Sequence, residues 1–252
     1  MSSLFEELHH SETSLGELIL RRRRYIGLGT EVYEVKLGED FLMSSLFTAS
    51  EEALGRLGIN HALSNRKGLE DAGPDSDGLE VVVGGLGLGY TAAAVLGQKE
   101  VASLLVIEYL KPVMEWHQKG LLPMSDLLVK DGRCRFVGAD FFACARSESG
   151  FDPNRPGRRV DAILVDIDHT PDSWLNHSNG SFYGIRGLRS IRRHLRPGGI
   201  FGLWSNDPPD EQFRARMAQA FDREWAEPVE FHNPLQDTKV IQTVYFGVCG
   251  IS

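Results

Sequence analysis

Apolar runs alternate with helix-like segments over most of this chain. From Leu79 onward the runs fall at 80–84, 101–108, 134–137, 162–166 and 200–204. Nearly continuous apolar runs are typical of strands buried on both faces, as in parallel sheets whose crossovers are helices. The pattern therefore predicts an α/β fold with a doubly wound, mostly parallel sheet.

Segments with a different pattern flank this core. The segments 31–37 and 41–43 surround turn residues and, with 18–20, predict a small antiparallel cap within the first 47 residues. Two β-like segments near the other end, 229–232 and 240–246, predict a hairpin that adds antiparallel strands and makes a seven-stranded, Rossmann-like sheet. We therefore expect an N-terminal β appendage, 1–47, and an α/β domain, 48–252.

Several local signals predict helices and loops between these strands. Thr48 and Glu51 have the spacing of a capping box at a helix start. Apolar spacing predicts a helix over 182–195, and Asp207, followed by two prolines, predicts the N-cap of another helix. Turn-forming residues predict surface loops at 65–78 and 146–159.

Composition narrows the classes of function. The chain has 252 residues, 42% of them hydrophobic, and a formal net charge of −8. That charge argues against a nucleic-acid partner, because phosphate contacts require a basic face. The basic run at 21–24 is either a contact for RNA or lipid or, as the acidic background favours, a solvated strand edge.

Cysteine usage and hydropathy bear on the compartment. The three cysteines are an odd number without close spacing, so we expect neither disulfides nor a metal site. The first residues lack a basic segment leading into an apolar one, and no run approaches 18 apolar residues. We expect a cytoplasmic protein with no membrane partner.

The most informative motif joins the first core strand to a glycine pattern. Gly85, Gly87 and Gly89 follow the strand at once, which predicts a tight turn into a helix with free backbone amides beside a ligand. Glu108 ends the next apolar run, where a carboxylate accepts hydrogen bonds from ribose hydroxyls. The pair predicts a nucleotide or nucleoside site. The glycines alone also fit a relaxed dinucleotide fingerprint, so a nicotinamide enzyme is an alternative.

Three further features separate these alternatives. They are Asp140 after the third run, Asp166 at the end of the fourth, and the Leu195–Gly199 segment before the fifth. Together with the glycines and Glu108, this ordered set resembles the class I S-adenosylmethionine-dependent methyltransferase fold and, within it, the spermidine synthase family of aminopropyltransferases. The resemblance covers about residues 79–205 well and the two ends more loosely.

The resemblance implies roles for individual residues. Gly85, Gly87, Gly89 and Glu108 would bind S-adenosylmethionine or its decarboxylated form. Asp140 would face the adenine amino group, or act only as a turn or helix cap. Asp166 would be the general base for an attacking amine, or a carboxylate satisfied by a nearby helix N-terminus. A homodimer is expected, as in the family.

The acceptor side departs from the family pattern. Leu88 stands where the family's glycine loop carries an aspartate that holds the aminopropyl ammonium, and His169 stands at the last acidic position of the Asp-Ser-Ser-Asp motif. Asp168 is a candidate replacement. Trp174 and Tyr183, in the loop that would cover the acceptor pocket, either cage a cation or anchor the loop.

The resemblance leaves three activities open. The first is aminopropyl transfer to a small-molecule amine or other nucleophilic acceptor, as in polyamine biosynthesis. The second is methyl transfer from S-adenosylmethionine. In the third, the chain is a non-catalytic member that keeps the fold as a binding module.

Overall fold

Two β-sheets and seven α-helices make up the described part of the chain. The computed structural model describes residues 4–66 and 78–250. The first sheet contains β1 (Phe5–Thr13), β2 (Gly16–Tyr25), β3 (Thr30–Leu37) and β4 (Asp40–Ser44) in sequential antiparallel order. The predicted antiparallel cap is thus confirmed, with one more strand than expected.

The additional strand changes the interpretation of the basic run. Because β1 pairs with β2, the run at 21–24 lies in an interior strand, so the expected strand edge is wrong. Arg21 pairs with buried Glu34 at 2.6 Å and Arg22 with Glu6 at 2.7 Å. The sequence did not predict β1, because its residues do not alternate regularly between apolar and polar.

The larger sheet has seven strands in the order β10-β11-β9-β8-β5-β6-β7. The strands and helices after the first sheet are α1 (Ala49–Arg66), β5 (Leu79–Gly84), α2 (Tyr90–Leu96), β6 (Val101–Glu108), α3 (Lys111–Gln118), α4 (Ser125–Lys130), β7 (Cys134–Gly138), α5 (Phe141–Arg146), β8 (Val160–Val165), α6 (Ile185–Arg192), β9 (Leu195–Ser205), α7 (Glu211–Ala218), β10 (Arg223–Asn233) and β11 (Thr238–Val248).

The pairing confirms the predicted topology. Strands β5 to β9 pair in parallel, whereas β11 pairs antiparallel with β9 and β10. Along β5, Val81 and Val83 pack into one apolar cluster and Val82 into the other. Alternating side chains point to opposite faces of a strand, so this sheet is buried on both sides, which explains the continuous apolar runs.

Some predicted helix boundaries are wrong. The helix expected over 182–195 is α6, only Ile185–Arg192, preceded by a 3-10 helix, His177–Tyr183, and followed by β9, which begins at Leu195. The cap of α7 is Asp210, which accepts from the Gln212 amide at 2.8 Å, and not Asp207. The loop expected at 65–78 falls mostly on residues 67–77, which lie outside the described residues.

Among the described residues, no helix has the length and apolarity to span a membrane.

The topology of the larger sheet determines where a ligand site forms. From β5 the chain proceeds outward to β6 and β7 and then returns to the other side of β5 as β8. Such a reversal opens a crevice at the carboxyl ends of the strands. The residues that follow β5, β6, β7 and β8 meet at that edge.

Candidate functional site

A first cavity of about 280 Å³ lies at this edge. It is lined by residues that follow four different strands, among them Gly85, Gly87, Glu108, Asp140 and Asp166. The sequence predicted all five as site residues, and the parallel sheet brings them together.

The three glycines of the loop have left-handed backbone angles, with φ of 91° at Gly85, 47° at Gly87 and 94° at Gly89. A Cβ on Gly85 would overlap the Asp166 carbonyl oxygen, so this glycine lets the ends of β5 and β8 approach. A Cβ on Gly89 would lie 2.6 Å from Leu128, so this glycine packs α2 against α4.

The amides at the start of this loop are already paired. The Gly85 N–H donates to the Ile107 carbonyl at 2.9 Å, and the Leu86 N–H donates to Glu108 Oε2 at 2.9 Å. The expectation of free amides at these two positions is therefore wrong. A buried N–H without a partner is costly, and Glu108 already serves as the partner of the Leu86 N–H in the absence of a ligand.

Glu108 is a buried carboxylate with its oxygens divided between two backbone segments. Oε1 accepts from the Leu110 amide at 2.7 Å, while Oε2 holds Leu86. Burial raises the pKa of Glu108, and the amide hydrogen bonds act in the opposite direction. The Gly87 and Tyr109 amides also act on this carboxylate, so a hydroxyl group of a ligand would share its oxygens with backbone amides.

Asp140 caps a helix and also lines the first cavity. Its Oδ1 accepts from the Phe142 and Ala143 amides at 2.8 and 3.1 Å, so it caps α5. It also lines the first cavity. One oxygen fixes the helix, and the other remains available for a ligand.

Asp166 lies where the first cavity meets a second one, and it lines both. Its Oδ2 accepts from the Thr91 hydroxyl, in the first turn of α2, at 2.7 Å. Burial raises the pKa of Asp166 to about 6. A carboxylate with such a pKa is ionised at neutral pH and is a better proton acceptor than an exposed aspartate.

The second cavity, of about 430 Å³, is formed between the two sheets and the C-terminal hairpin. The predicted residue His169 lines it, as do Leu88 and Gly89. Glu51 of α1 also lines it, and the sequence missed this residue as a site residue. Burial, followed by the nearby charge of Asp166, raises the pKa of Glu51 to about 8.

A polar network fixes Glu51 in this wall. The Ser50 hydroxyl lies 3.0 Å from Glu51 Oε2, contacts Gln242, and accepts from the Trp204 Nε1–H at 2.7 Å. These residues belong to α1, β9 and β11, so only the tertiary fold brings them together. The Glu51 spacing suggested a capping box, but the Thr48 hydroxyl instead donates to Glu52 at 2.8 Å.

His117 is a second residue that the sequence missed. Its ring Nε2 lies 2.9 Å from the Gly87 carbonyl oxygen, and its side chain is buried. Burial lowers the pKa of His117, so the neutral ring is favoured and donates to that carbonyl. His117 therefore positions the glycine loop.

The loop after Asp166 uses Asp168 and Tyr183 for its own structure. The buried Asp168 carboxylate accepts from the Leu175 amide at 2.7 Å, the Asn179 side chain at 3.1 Å and the Tyr183 hydroxyl at 2.8 Å. Neither Asp168 nor Tyr183, which both belong to the described part of the chain, lines either cavity. Both residues were expected to contact an acceptor, and the structure corrects this expectation. Strand β8 ends at Val165, so Asp168 turns toward the loop and binds it.

Trp174 likewise anchors the loop. Its Nε1–H donates to the Pro171 carbonyl at 2.8 Å, and its ring packs over Gly180, where a Cβ would lie 2.8 Å from the ring. The anchoring alternative, not the cation cage, describes this residue. Asn176 and Asn179 of the same loop do line the first cavity.

One exposed group of potential metal ligands occurs among the described residues. His10, Glu12 and Glu17, on β1 and β2, have ligand atoms within 4.8 Å of one another. These three side chains lie outside the lining of both cavities and have no role in the site.

Solved structures of known proteins share this architecture. A spermidine synthase in complex with the transition-state analogue AdoDATO matches 98% of this chain and 74% of its own, with a TM-score of 0.70 and 16% identity. Spermidine synthase from Thermotoga maritima matches the same shares, with a TM-score of 0.69 and 14% identity.

A methyltransferase also shares the fold. Human methyltransferase-like protein 13 in complex with SAH matches 80% of this chain and 82% of its own, with a TM-score of 0.56 and 18% identity. No protein-family model and no curated protein sequence matches the chain. The chain thus has the predicted spermidine synthase-like form of the methyltransferase fold.

Proposed function

We propose that this chain is a transferase that moves an alkyl group from an adenosyl sulfonium compound to an amine, with Asp166 as the general base. The observation that carries the proposal is the position of Asp166 at the junction of two cavities. A base at such a junction reaches a nucleophile in one cavity while the alkyl donor occupies the other.

The lining of the first cavity fits an adenosyl group. Both carboxylates line it, so Glu108 would accept from the ribose hydroxyls and Asp140 from the adenine amino group. Gly85 and Gly87 leave the cavity wall without side chains there. These residues would hold S-adenosylmethionine or its decarboxylated form, as the complexes of the similar structures with AdoDATO and SAH suggest.

When bound, such a compound supplies a carbon made electrophilic by the positive sulfur, and its C–S bond breaks with both electrons going to sulfur. The task of this chain is to align the amine and remove its proton. An ammonium ion gives one N–H proton to the Asp166 carboxylate, which leaves a lone pair on nitrogen for the new N–C bond. The Thr91 hydroxyl orients the carboxylate at 2.7 Å.

Methyl transfer is the second candidate, and Leu88 favours it. This side chain is only 5% exposed and lines the second cavity. The loop 84–89 has no acidic side chain to pair with an aminopropyl ammonium. S-adenosylmethionine carries a carboxylate beside the ammonium of its tail, whereas the aminopropyl tail of the decarboxylated compound is a lone cation, and an apolar wall disfavours that cation because an unpaired buried ammonium is costly.

Ligand-dependent thermal stabilisation tests the proposal. The probes are S-adenosylmethionine, its decarboxylated form, methylthioadenosine and NAD, each at a concentration well above its expected Kd. Stabilisation by an adenosyl sulfur compound supports the proposal, and the preferred sulfonium identifies the transferred group. Stabilisation by NAD alone, or by none of the four, would contradict it.

Turnover completes the test. Release of the adenosyl thioether in the presence of an amine, and its loss in Asp166→Asn, would support transfer with Asp166 as base. A chain that binds the sulfonium but never releases thioether with any amine would instead be a binding module.

A further inference from the structure

The second cavity has charge at one end only. Among the described residues that line it, Glu51 and Asp166 are the only carboxylates, and none is a lysine or an arginine. The two acids lie near each other, since the Thr91 hydroxyl contacts Asp166 Oδ2 at 2.7 Å and the Glu51 backbone carbonyl at 3.3 Å, and the charge of Asp166 acts on the Glu51 carboxyl group and raises its pKa. They therefore occupy the same end of the cavity, beside α1 and α2.

The other end of the cavity is apolar and lies along the C-terminal hairpin. Phe231 of β10 and Val240 of β11 are register partners, and Phe231 packs on Phe47 with ring centroids 5.9 Å apart. All three line the cavity. Phe41 from the N-terminal sheet adds a further ring to the lining.

The distance between the two ends follows from the strand geometry. Gln242, which contacts Ser50 beside Glu51, lies on the same face of β11 as Val240, two residues away. Two residues of a strand span roughly 7 Å. A four-carbon diamine bound at the acidic end would place its second ammonium near this apolar end, where the described wall contains Asn233 and no carboxylate.

From this distribution, and resting on the proposed function, we infer that the acceptor is a monoamine with an apolar body. Its single ammonium lies between Glu51 and Asp166, and its alkyl or aromatic portion packs on Phe231, Val240 and Phe47. A diamine is disfavoured because its second charge would be buried without a partner.

The electrostatics of the acidic end agree with one bound cation. Two nearby carboxylates repel each other when both are ionised, and a cation between them removes that penalty. Burial and the charge of Asp166 hold the pKa of Glu51 at about 8. Binding of an ammonium ion should therefore release a proton from Glu51 near neutral pH.

The test compares 2-phenylethylamine with 1,4-diaminobutane. Each amine is titrated by calorimetry into the whole protein saturated with methylthioadenosine, whose own binding is measured first. We expect 2-phenylethylamine to bind at least about tenfold more tightly, the size of one charged hydrogen bond left unmade. Equal affinity, or tighter binding of the diamine, would overturn the inference.

A variant pair sharpens the test. Val240→Asp adds a carboxylate at the apolar end and should shift the preference toward 1,4-diaminobutane by about tenfold. Ile241→Asp, one residue along on the opposite, exposed face of β11, is the matched control and should leave the preference unchanged. The same shift in both variants would show a general charge effect and contradict the assigned end.

The two levels of the proposal fail differently. If methylthioadenosine binds but the diamine is preferred, the proposed function stands and only the acceptor class is wrong. If neither methylthioadenosine nor any amine binds, the proposed function itself fails, and the inference fails with it.

Discussion

The carboxyl ends of the parallel strands and the loop that follows β8 make an instructive contrast. Both carry acidic side chains that the sequence predicted as site residues, and the loop adds the aromatic residues Trp174 and Tyr183. Glu108, Asp140 and Asp166, at strand ends, all line a cavity, whereas Asp168 and Tyr183, in the loop, bond to each other. A strand end has its position set by the sheet, while a loop must satisfy its own polar groups first.

The largest expected effect separates the two neighbouring aspartates. Asp166→Asn should lower turnover by about 10²–10⁴-fold, since the amide has no proton-accepting capacity near neutral pH. The substitution keeps the shape of the side chain and an acceptor for Thr91, so the Kd for methylthioadenosine should change little. The measurements are the rate of thioether release and calorimetric binding. Turnover that survives in Asp166→Asn would remove Asp166 from the mechanism.

Asp168→Ala should act on stability instead. The substitution leaves Leu175, Asn179 and Tyr183 without their buried acceptor, which should lower the free energy of unfolding by about 3 kcal/mol. Urea denaturation measures it. The control, Tyr183→Phe, removes one of the three donors and should cost about 1 kcal/mol. If folded Asp168→Ala lost as much turnover as Asp166→Asn, then the loop acid would serve the reaction as much as the strand-end acid, and the contrast between the two regions would be wrong.

Glu108→Ala should weaken the binding of methylthioadenosine by about 10–100-fold, because hydroxyl contacts and the anchoring of Leu86 are both lost. Glu115→Ala, on the solvent side of α3 with only lysine partners, is the matched control. Calorimetry on both variants measures the difference. Equal affinities in the two variants would show that Glu108 serves only the backbone.

The smallest expected effect is a pH dependence of stability. Burial raises the pKa of Glu51 from 4.5 to about 8 in the folded protein, so the folded state binds more protons than the unfolded state between these values. The contribution of Glu51 to stability is therefore lost progressively as pH rises through this window. Glu51→Gln should remove that loss, because glutamine does not titrate. The difference in free energy of unfolding between the variant and wild type should therefore be more favourable to the variant at pH 8 than at pH 5, by about 1 kcal/mol or more.

Denaturation curves at the two pH values measure this dependence. Glu52→Gln, the exposed neighbour on α1, is the control and should keep most of the wild-type pH dependence, because the charge of Glu52 makes the smallest contribution to the raised pKa of Glu51. Parallel pH dependence in wild type and Glu51→Gln would mean that Glu51 is ionised at neutral pH, and the electrostatic argument for one bound cation would lose its support.

The sequence predicted the core and the strand-end residues because their signals are local. A continuous apolar run followed by glycine or an acid identifies a buried strand and its end, and parallel pairing then brings Gly85, Glu108 and Asp166 to one edge. The helix over 182–195 was too long because Leu195 fits a helical face and a strand start equally well. Periodicity alone does not separate the two over one turn.

The acceptor side is different in kind. The sequence around Glu51 predicts only a helix cap, and nothing near it in the chain indicates that it lines a cavity with Trp204, Phe231 and Gln242. These residues come from α1, β9 and the terminal hairpin, and their contacts depend on how the antiparallel strands close over the sheet edge.

The sequence by itself determined the sheet, its order of elements and the chemistry at its strand ends, since each follows from patterns within a few residues. Only the tertiary structure decided which acids face a cavity and which have their oxygens occupied by hydrogen bonds within the protein, because this depends on packing between distant segments.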